Sequence, residues 1–231
     1  MMLSGFSKLI ATVKLKNGLH IGTGEKGGGR GDSTPVMTSL SSGLPYVPGS
    51  SLKGKMRHML EITFGRAEKK DNGSPCCCGK CQICLLFGSG SADKTFEPSR
   101  LIFRDSFPTE DTEKFLEKFG LEKKPGVRID RETGKAAGKA LFPMDRVPED
   151  CEFDMEVSIR VFDGDNLDSI KKWLAMGLYL MEQDALGGGG TRGSGQIEFN
   201  NIKFNNEAFA ETWRQDCIDK KDEIKAMAIK P

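Results

Sequence analysis

The sequence predicts one α+β domain with the order strand, helix, strand, strand, helix, strand. Some segments alternate apolar and polar residues with period two, which is typical of strands with one buried face. Other segments repeat apolar residues at helical spacing. The chain has 231 residues, of which 37% are apolar and 29% are charged, so it is long enough and apolar enough to form a core.

The first predicted strand spans residues 6–16 and has a buried face formed by Leu9, Ala11, Val13 and Leu15. A long loop rich in Gly, Ser and Pro follows to about residue 49. The first helix is predicted over 52–61, where the apolar positions 52, 56, 59 and 60 lie at helical spacing. A serine just before position 52 is expected to be its N-cap.

The remaining elements follow in the same manner. They are a short strand at 100–105, a small amphipathic helix at 109–120, a polar segment at 121–146, a strand at 153–161, a long helix at 166–183 and a strand at 196–204. The charged stretch 220–223 is expected to be a solvated helix face. Without the insertions, the order is the ferredoxin-like arrangement, which RNA-recognition folds also use.

Composition restricts the classes of function. No apolar run approaches the roughly 20 residues that span a bilayer, and the N-terminus lacks the apolar region of a signal peptide. We therefore expect a cytoplasmic protein without a membrane partner. The net charge of +1 gives no general attraction for nucleic acid, so such binding would depend on local basic patches.

Five of the seven cysteines fall between positions 76 and 84, a density that indicates a metal site in a reducing compartment. The spacing of Cys78, Cys81 and Cys84 suits a tetrahedral Zn²⁺, with either Cys76 or His58 as the fourth ligand. The alternative is a redox role, since Cys-x-x-Cys also serves oxidoreductases. Structural zinc is favoured because an insertion with little core of its own gains folding energy from a metal.

A second motif lies between the long helix and the last strand, where six of the nine residues 187–195 are glycine. Consecutive glycines expose backbone N–H groups that can hold phosphate oxygens. The candidate RNA-binding residues are Gly188, Gly189, Gly190, Thr191 and Arg192. The motif lacks the Gly-Lys-Ser/Thr ending of an NTP-binding P-loop, which argues against nucleotide hydrolysis. The alternative is a flexible connection, which the six glycines in nine residues make less favoured than phosphate binding.

A third motif is the start of the first helix. Basic residues beside the free N–H groups of a helix N-terminus can hold a nucleic-acid backbone. The candidates are Ser50, Ser51, Lys53, Lys55 and Arg57, although a basic helical face alone is more often only solvated.

A single acidic residue, Asp32, lies in the glycine-rich segment 27–35. Glycine allows a ligand to approach the main chain closely, so a carboxylate here is accessible. From these residues alone, the simpler interpretation is a surface loop with a capping Asp.

Taken together, six segments resemble the RAMP proteins that form the backbone of type III-A (Csm) CRISPR effector complexes. They occur in the family's order along nearly the whole chain: LHIG at 19–22, DSTPV at 32–36, PGSSLKG at 48–54, CQICLLFG at 81–88, VRIDRETGKA at 127–136 and LGGGGTRGSG at 186–195. The resemblance is weakest over 206–231.

The resemblance implies a single RAMP domain over 1–231, with a modified RNA-recognition fold and two insertions. One insertion, 65–99, would bind zinc, and the other, 121–146, would form a β-hairpin thumb with Arg128 and Arg131 among its RNA-binding residues. The family assembles with copies of itself in a helical filament on a guide CRISPR RNA, together with other Csm effector subunits. Its thumb interrupts pairing with the target single-stranded RNA at regular intervals.

In this family the acidic residue at the position of Asp32 is associated with target-RNA cleavage. RNA carries its own nucleophile, the 2′-hydroxyl, which a site must align with the phosphorus. The carboxylate would either bind Mg²⁺ or Mn²⁺ at the scissile phosphate or act as a general base. Both roles remain open at this stage.

Two other functions compete with this hypothesis. In the first, the chain is a non-catalytic RNA-binding scaffold, Asp32 only shapes its loop, and another subunit cuts. In the second, the chain processes guide RNA alone, but such nucleases usually depend on catalytic histidines and this chain has only two.

Overall fold

The computed structural model describes residues 2–24, 35–66, 73–89 and 97–228, without the side chains of 138–142 and 227–228. Its strands are β1 (Leu3–Leu15), β2 (Leu101–Phe103), β3 (Phe107–Pro108), β4 (Glu122–Ile129), β5 (Ala136–Arg146), β6 (Glu152–Phe162), β7 (Ile197–Phe204) and β8 (Glu207–Ala208). Its helices are α1 (Gly49–Thr63), α2 (Gln82–Phe87), α3 (Glu110–Phe119), α4 (Leu167–Glu182), α5 (Trp213–Asp219) and α6 (Lys221–Ala228). The fold is therefore mixed α+β.

The main sheet is antiparallel and has the order β2-β6-β1-β7-β8, with β3 paired to β6. β1 lies at its centre because the even spacing of Leu9, Val13 and Leu15 gives it a fully buried face. A second, two-stranded antiparallel sheet consists of β4 and β5. This hairpin occupies the polar segment that follows α3.

Helices α1 and α4 pack against each other over the buried face of the main sheet. Their close approach depends on Gly177, where a Cβ atom would lie 2.6 Å from Cγ of Met56. Beside this crossing, the Phe64 and Trp173 rings meet edge to face at 5.0 Å. The tight packing fixes the position of α1, which carries several candidate binding residues.

The expected serine N-cap of α1 is wrong. The helix begins at Gly49, its N-cap is Pro48, and no side chain of the N-cap closes the first turn. Instead, Asp105 reaches across from the segment after β2 and accepts a 2.8 Å hydrogen bond from the Gly49 N–H. The distant carboxylate replaces the local cap, and it leaves Ser50 exposed at the start of the helix.

The C-terminal segment adds α5 and α6 against α4. Residues 220–223 are exposed, as the sequence predicts, while Ile224 is buried.

The two cysteines outside the cysteine-rich insertion are buried. Burial raises the pKa of Cys151 to about 11 and that of Cys217 to about 12, so both are ordinary protonated thiols. No helix in the described ranges is long and apolar enough to cross a membrane.

Candidate functional site

The exposed side of α1 forms the first part of the candidate site. Ser50, Gly54 and His58 are exposed at intervals of four residues, and Lys53 and Lys55 flank this stripe. A Cβ atom at Gly54 would meet nothing within 4 Å, so the helix backbone is open to a ligand there. We call this stripe and the two lysines the α1 surface.

Lys53 lies in a positively charged environment. Its pKa is lowered by burial and by the positive charges of Arg57 and Arg160. No carboxylate of the described residues forms an ion pair with Lys53 or with Arg160. Arg57 is paired with Glu61, but Lys53 has no carboxylate partner among the described residues. The positive charge around Lys53 therefore favours an anion, such as a phosphate, at this end of the α1 surface.

The structure adds Arg160 to the candidate residues. It lies near the end of β6, and one of its guanidinium N–H groups donates a 3.0 Å hydrogen bond to the Ser99 carbonyl. The sequence contains no local motif around Arg160 that would have identified it. Its positive charge is one of the influences that lower the pKa of Lys53.

Lys55 faces the opposite side of the α1 surface. Its ammonium forms a 2.6 Å ion pair with Asp184, which lies two residues after the end of α4 and three before Gly187. The hydrogen bond from Lys55 lowers the pKa of the Asp184 carboxyl group. Lys55 therefore connects α1 to the start of the glycine-rich segment, and its charge is partly offset.

Arg57 contacts the protein rather than solvent. Its guanidinium donates to Glu61 Oε1 at 2.8 Å, to the Gly88 carbonyl at 3.0 Å and to the Cys76 carbonyl at 2.6 Å. These bonds direct the side chain toward the cysteine-rich insertion. The geometry favours a structural role over the phosphate contact expected for Arg57 from the sequence.

The candidate metal ligands form one group, the cysteine cluster, made of Cys76, Cys78, Cys81 and Cys84. Their sulfur atoms all lie within 4.8 Å of one another, and three pairs are separated by 3.8, 3.9 and 3.8 Å. A tetrahedron of thiolates with Zn–S bonds of about 2.3 Å has S···S edges of about 3.8 Å. The four sulfur atoms therefore fit a Zn²⁺ ion.

His58 is not in this group, so of the two candidates for the fourth ligand the structure favours Cys76. It is exposed on α1 near Asp184, whose pKa its charge helps to lower. The face of α1 that meets the cysteine cluster carries Arg57 and Glu61 instead. Cys76 is the fourth member of the group.

The cysteine-rich insertion is built onto the main core. In α2, Ile83, Leu86 and Phe87 are buried with the rest of the core, and the Cys81 sulfur accepts the Cys84 N–H at the start of the helix. Hydrogen bonds from the thiol and N–H of Cys84 lower the pKa of Cys81, and the same thiol hydrogen bond raises the pKa of Cys84. A thiolate at Cys81 is the form that a metal requires.

Residues 187–195, which we call the glycine loop, are held by backbone hydrogen bonds to the segment after β1. The Gly188 N–H donates to the His20 carbonyl at 2.7 Å, and the Gly195 N–H donates to the Gly18 carbonyl at 3.0 Å. The N–H of Gly188 is therefore not available to a ligand. Among the described residues, the N–H groups of Gly189, Gly190 and Thr191 have no acceptor, and the Arg192 side chain is exposed.

Gly187 sets the entry of the glycine loop. Its φ is +74°, and a Cβ atom there would collide with the His20 carbonyl oxygen. Gly193 has the same φ of +74°, but a Cβ atom there would be 3.9 Å from its nearest neighbour, Lys124 Nζ. A substitution at Gly193 would therefore add only backbone strain, whereas the same substitution at Gly187 would add backbone strain and a steric collision.

We expect Gly187→Ala to lower the free energy of unfolding more than Gly193→Ala does. Both variants incur about 1–2 kcal/mol from the positive φ. Only Gly187→Ala adds a collision with backbone, which costs about 1–3 kcal/mol more. Urea unfolding of both variants measures the difference, and equal losses would contradict this account of the loop.

The base of the hairpin formed by β4 and β5 is tied to the glycine loop. Arg146 at the end of β5 donates two 2.7 Å hydrogen bonds to the Glu122 carboxylate and a 3.1 Å bond to Ser194 Oγ. Lys124 donates to the Arg192 carbonyl at 2.8 Å. The hairpin and the glycine loop thus share one polar junction.

The far end of this hairpin is a tight turn that the sequence DRETG explains. Asp130 Oδ1 accepts hydrogen bonds from the Glu132 N–H and from the N–H and hydroxyl of Thr133. These hydrogen bonds lower the pKa of Asp130. Arg128 and Arg131 are exposed on either side of Asp130, and their side chains are available to a ligand.

Asp32 lies outside the described residues, as does Arg30. The described chain on either side of this segment is paired: Gly22 forms a bridge with Val36, and the Met37 N–H donates to the Ile21 carbonyl at 2.8 Å. Both ends of the segment therefore meet beside His20.

His20 connects three parts of the site. Its ring Nδ1 donates to the Asp145 carbonyl of β5 at 2.7 Å, and its own carbonyl accepts from Gly188 of the glycine loop. Its ring lies against Gly22, where a Cβ atom would be 3.0 Å from Nε2. The ends of the Asp32 segment, the glycine loop and the hairpin base consequently converge at one buried histidine.

A family model, curated relatives and a solved structure all relate this chain to the same family. A family model described as the RAMP superfamily matches residues 12–198. The chain is similar to the CRISPR system Cms endoribonuclease Csm3 of Methanothermobacter thermautotrophicus, with 39% identity over 83% of this chain and 82% of the relative. It is also similar to the Csm3 of Streptococcus thermophilus, with 34% identity over 85% of this chain and 88% of the relative.

A solved structure is also similar to this chain. The similar chain comes from the crystal structure of the Csm3–Csm4 subcomplex in the type III-A CRISPR-Cas interference complex. The two chains have 30% sequence identity and a TM-score of 0.57, and the match covers 88% of this chain and 80% of the other.

Proposed function

Because this chain belongs to the RAMP superfamily and, within it, to the Csm3 proteins of type III-A CRISPR effector complexes, we propose that it is a guide-RNA-binding backbone subunit and an endoribonuclease. Its substrate would be a single-stranded target RNA that has base-paired with the guide. The observation that carries this proposal is the convergence at His20 of the glycine loop, the hairpin base and the two described stretches that flank the Asp32 segment.

We assign the main sheet to the ferredoxin-like arrangement used by RNA-recognition folds. The assignment is supported by the sheet order, in which β1 lies between β6 and β7 and β2 pairs on the far side of β6. The hairpin of β4 and β5 would be the thumb, which interrupts the guide–target duplex. The cysteine-rich insertion would carry a structural Zn²⁺ in the cysteine cluster.

The guide would lie along the α1 surface. Lys53, assisted by Arg160, would neutralise phosphates, and the open backbone at Gly54 would allow close approach. The free N–H groups of the glycine loop would bind a further phosphate, with Arg192 beside them. Arg128 and Arg131 would contact RNA from the thumb. None of these groups needs to read a base, which suits a subunit that accepts any guide.

We expect Lys53→Glu to weaken guide binding about tenfold or more for every guide sequence, because a phosphate contact becomes repulsive. The slope of log affinity against log salt concentration should also become shallower by about one, which is the contribution of one phosphate contact. Titrations with several unrelated guides at different salt concentrations measure both effects. Lys114→Glu, on the exposed face of α3, is the control and should leave affinity unchanged.

A sequence-selective loss in Lys53→Glu would contradict backbone binding. It would mean that Lys53 contacts base edges, which alone carry sequence information in hydrogen-bonded readout. An unchanged affinity would remove the α1 surface from the guide path altogether.

Asp32 would provide the catalytic carboxylate. In one role it binds Mg²⁺ or Mn²⁺ at the scissile phosphate, and in the other it accepts the proton of the 2′-hydroxyl. The 2′-oxygen then attacks the phosphorus, and the 5′-oxygen of the next nucleotide leaves. The alternative, a scaffold in which another subunit cuts, differs only at Asp32.

The proposal includes an assembly. Copies of this chain would form a helical filament on the guide, together with other Csm subunits. The similarity to a chain of the Csm3–Csm4 subcomplex supports contacts with other subunits. Native mass measurement of the purified complex would give the number of copies per guide.

A further inference from the structure

Arg57 and Glu61 hold the backbone of Cys76, a member of the cysteine cluster. Cys76 donates its backbone N–H to Glu61 Oε1 at 3.0 Å, and its carbonyl accepts from Arg57 at 2.6 Å. The two side chains are themselves paired at 2.8 Å, one helical turn apart on α1. One ion pair therefore holds both the backbone N–H and the carbonyl of Cys76.

The same ion pair contacts the other end of the insertion. Arg57 also donates to the Gly88 carbonyl, the C-cap of the helix α2 that carries Cys84. Glu61 is only 6% exposed, so its carboxylate depends on Arg57 and on the Cys76 N–H for compensation. If Cys76 moves, a buried carboxylate loses a donor and a guanidinium loses an acceptor.

Arg57 is also electrostatically coupled to the α1 surface. Its charge is one of the influences that lower the pKa of Lys53, four residues earlier on the same helix. The position of the Arg57 guanidinium thus affects the field at the group that we assign to the guide backbone. One side chain connects the cysteine cluster with this surface.

We propose that the Arg57–Glu61 pair couples metal occupancy of the cysteine cluster to binding of an RNA backbone at Lys53. This inference rests on the proposed guide binding at the α1 surface. A bound metal fixes Cys76 and with it the Arg57 guanidinium; loss of the metal releases Cys76 and allows Arg57 to move away from its position. Coupling of this kind is reciprocal, so RNA must retain the metal as strongly as the metal promotes RNA binding.

The test measures zinc release from the full chain by a colorimetric chelator, with and without a guide-length RNA. For the wild-type chain, saturating RNA should raise the zinc affinity about tenfold. RNA titrations of the zinc-loaded and zinc-depleted chains should show a change in affinity of the same size. These measurements need no cleavage activity.

Arg57→Lys is the decisive variant because it keeps the positive charge. One ammonium cannot reproduce the fork that reaches Glu61, Gly88 and Cys76. We expect the zinc affinity to fall about 10- to 100-fold, as for other groups that support metal ligands. The effect of RNA on zinc release should disappear, while the zinc-saturated variant binds RNA normally. Glu61→Gln, which keeps the shape of the side chain, should show a smaller change in the same direction.

The exposed pair Glu110 and Lys114 on α3 is the matched control, since it has the same spacing of four residues and a 2.7 Å contact. Lys114→Met should change neither zinc release nor its response to RNA. If Arg57→Lys and Glu61→Gln release zinc like the wild type and still respond to RNA, the coupling is excluded.

Lys53→Glu distinguishes this inference from the proposed function. It should lose RNA affinity but keep the zinc affinity of the RNA-free chain, because Lys53 makes no contact with the cysteine cluster among the described hydrogen bonds and ion pairs. Normal RNA binding by Lys53→Glu would contradict the α1 surface. If Lys53→Glu binds RNA more weakly while Arg57→Lys releases zinc and responds to RNA like the wild type, only the coupling is contradicted.

Discussion

Asp32→Ala should reduce divalent-dependent cleavage of target RNA by about 10²–10⁴, while guide binding and assembly stay at wild-type levels. The reason is that cleavage needs a group that either holds the metal at the scissile phosphate or takes the 2′-hydroxyl proton. Aspartate is a small polar residue of a type that rarely forms a core, and its neighbours here are mostly glycine, so its removal is not expected to affect folding. Single-turnover cleavage of a labelled target by the purified complex measures the rate.

The products provide a second measurement. Attack by the 2′-oxygen leaves a 2′,3′-cyclic phosphate on one fragment and a 5′-hydroxyl on the other, whereas attack by water at phosphorus would not form the cyclic product. Chelation with EDTA should reproduce the effect of the substitution if Asp32 acts through a metal.

Ser33→Ala is the control, because it alters the neighbouring residue of the same segment without removing a carboxylate. It should cleave at nearly the wild-type rate. If Asp32→Ala also cleaves at the wild-type rate in a complex of correct composition, the catalytic assignment is wrong. The non-catalytic scaffold would then be the better account.

Loss of the metal from the cysteine cluster should have the second large effect. We expect one Zn²⁺ per chain and a loss of more than about 4 kcal/mol in the free energy of unfolding for Cys81→Ser. A bound metal would close the insertion whose helix α2 packs into the main core, so its removal should expose apolar surface there. Elemental analysis gives the zinc content, and denaturant unfolding gives the stability.

Two substitutions serve as controls for this prediction. Cys77 is exposed and lies outside the cluster although it separates two of its members, so Cys77→Ser should keep its zinc and its stability. His58→Ala should keep its zinc for the same reason. A zinc-free wild-type chain, grown with ample metal, would contradict the site, as would zinc loss in Cys77→Ser.

The sequence was sufficient for the main elements of the fold. Alternation at Leu9, Val13 and Leu15 identifies β1, and helical spacing identifies α4, because one buried face imposes its period on the residues. Boundaries are less accurate: α1 begins at Gly49, and the predicted strand at 100–105 shortens to β2. The cap of α1 depends on Asp105, more than 50 residues away, which no local pattern reveals.

The sequence by itself determined the family, the α+β order of elements and the dense group of thiols, since these depend on residue type and spacing along the chain. Only the tertiary structure decided which neighbours act together. It placed Cys76 rather than His58 with the other thiols, directed Arg57 into the insertion, and brought the charge of Arg160 close enough to lower the pKa of Lys53. Successive helical residues point in different directions, and strand ends meet helices from distant parts of the chain, so contact follows from packing rather than from proximity in sequence.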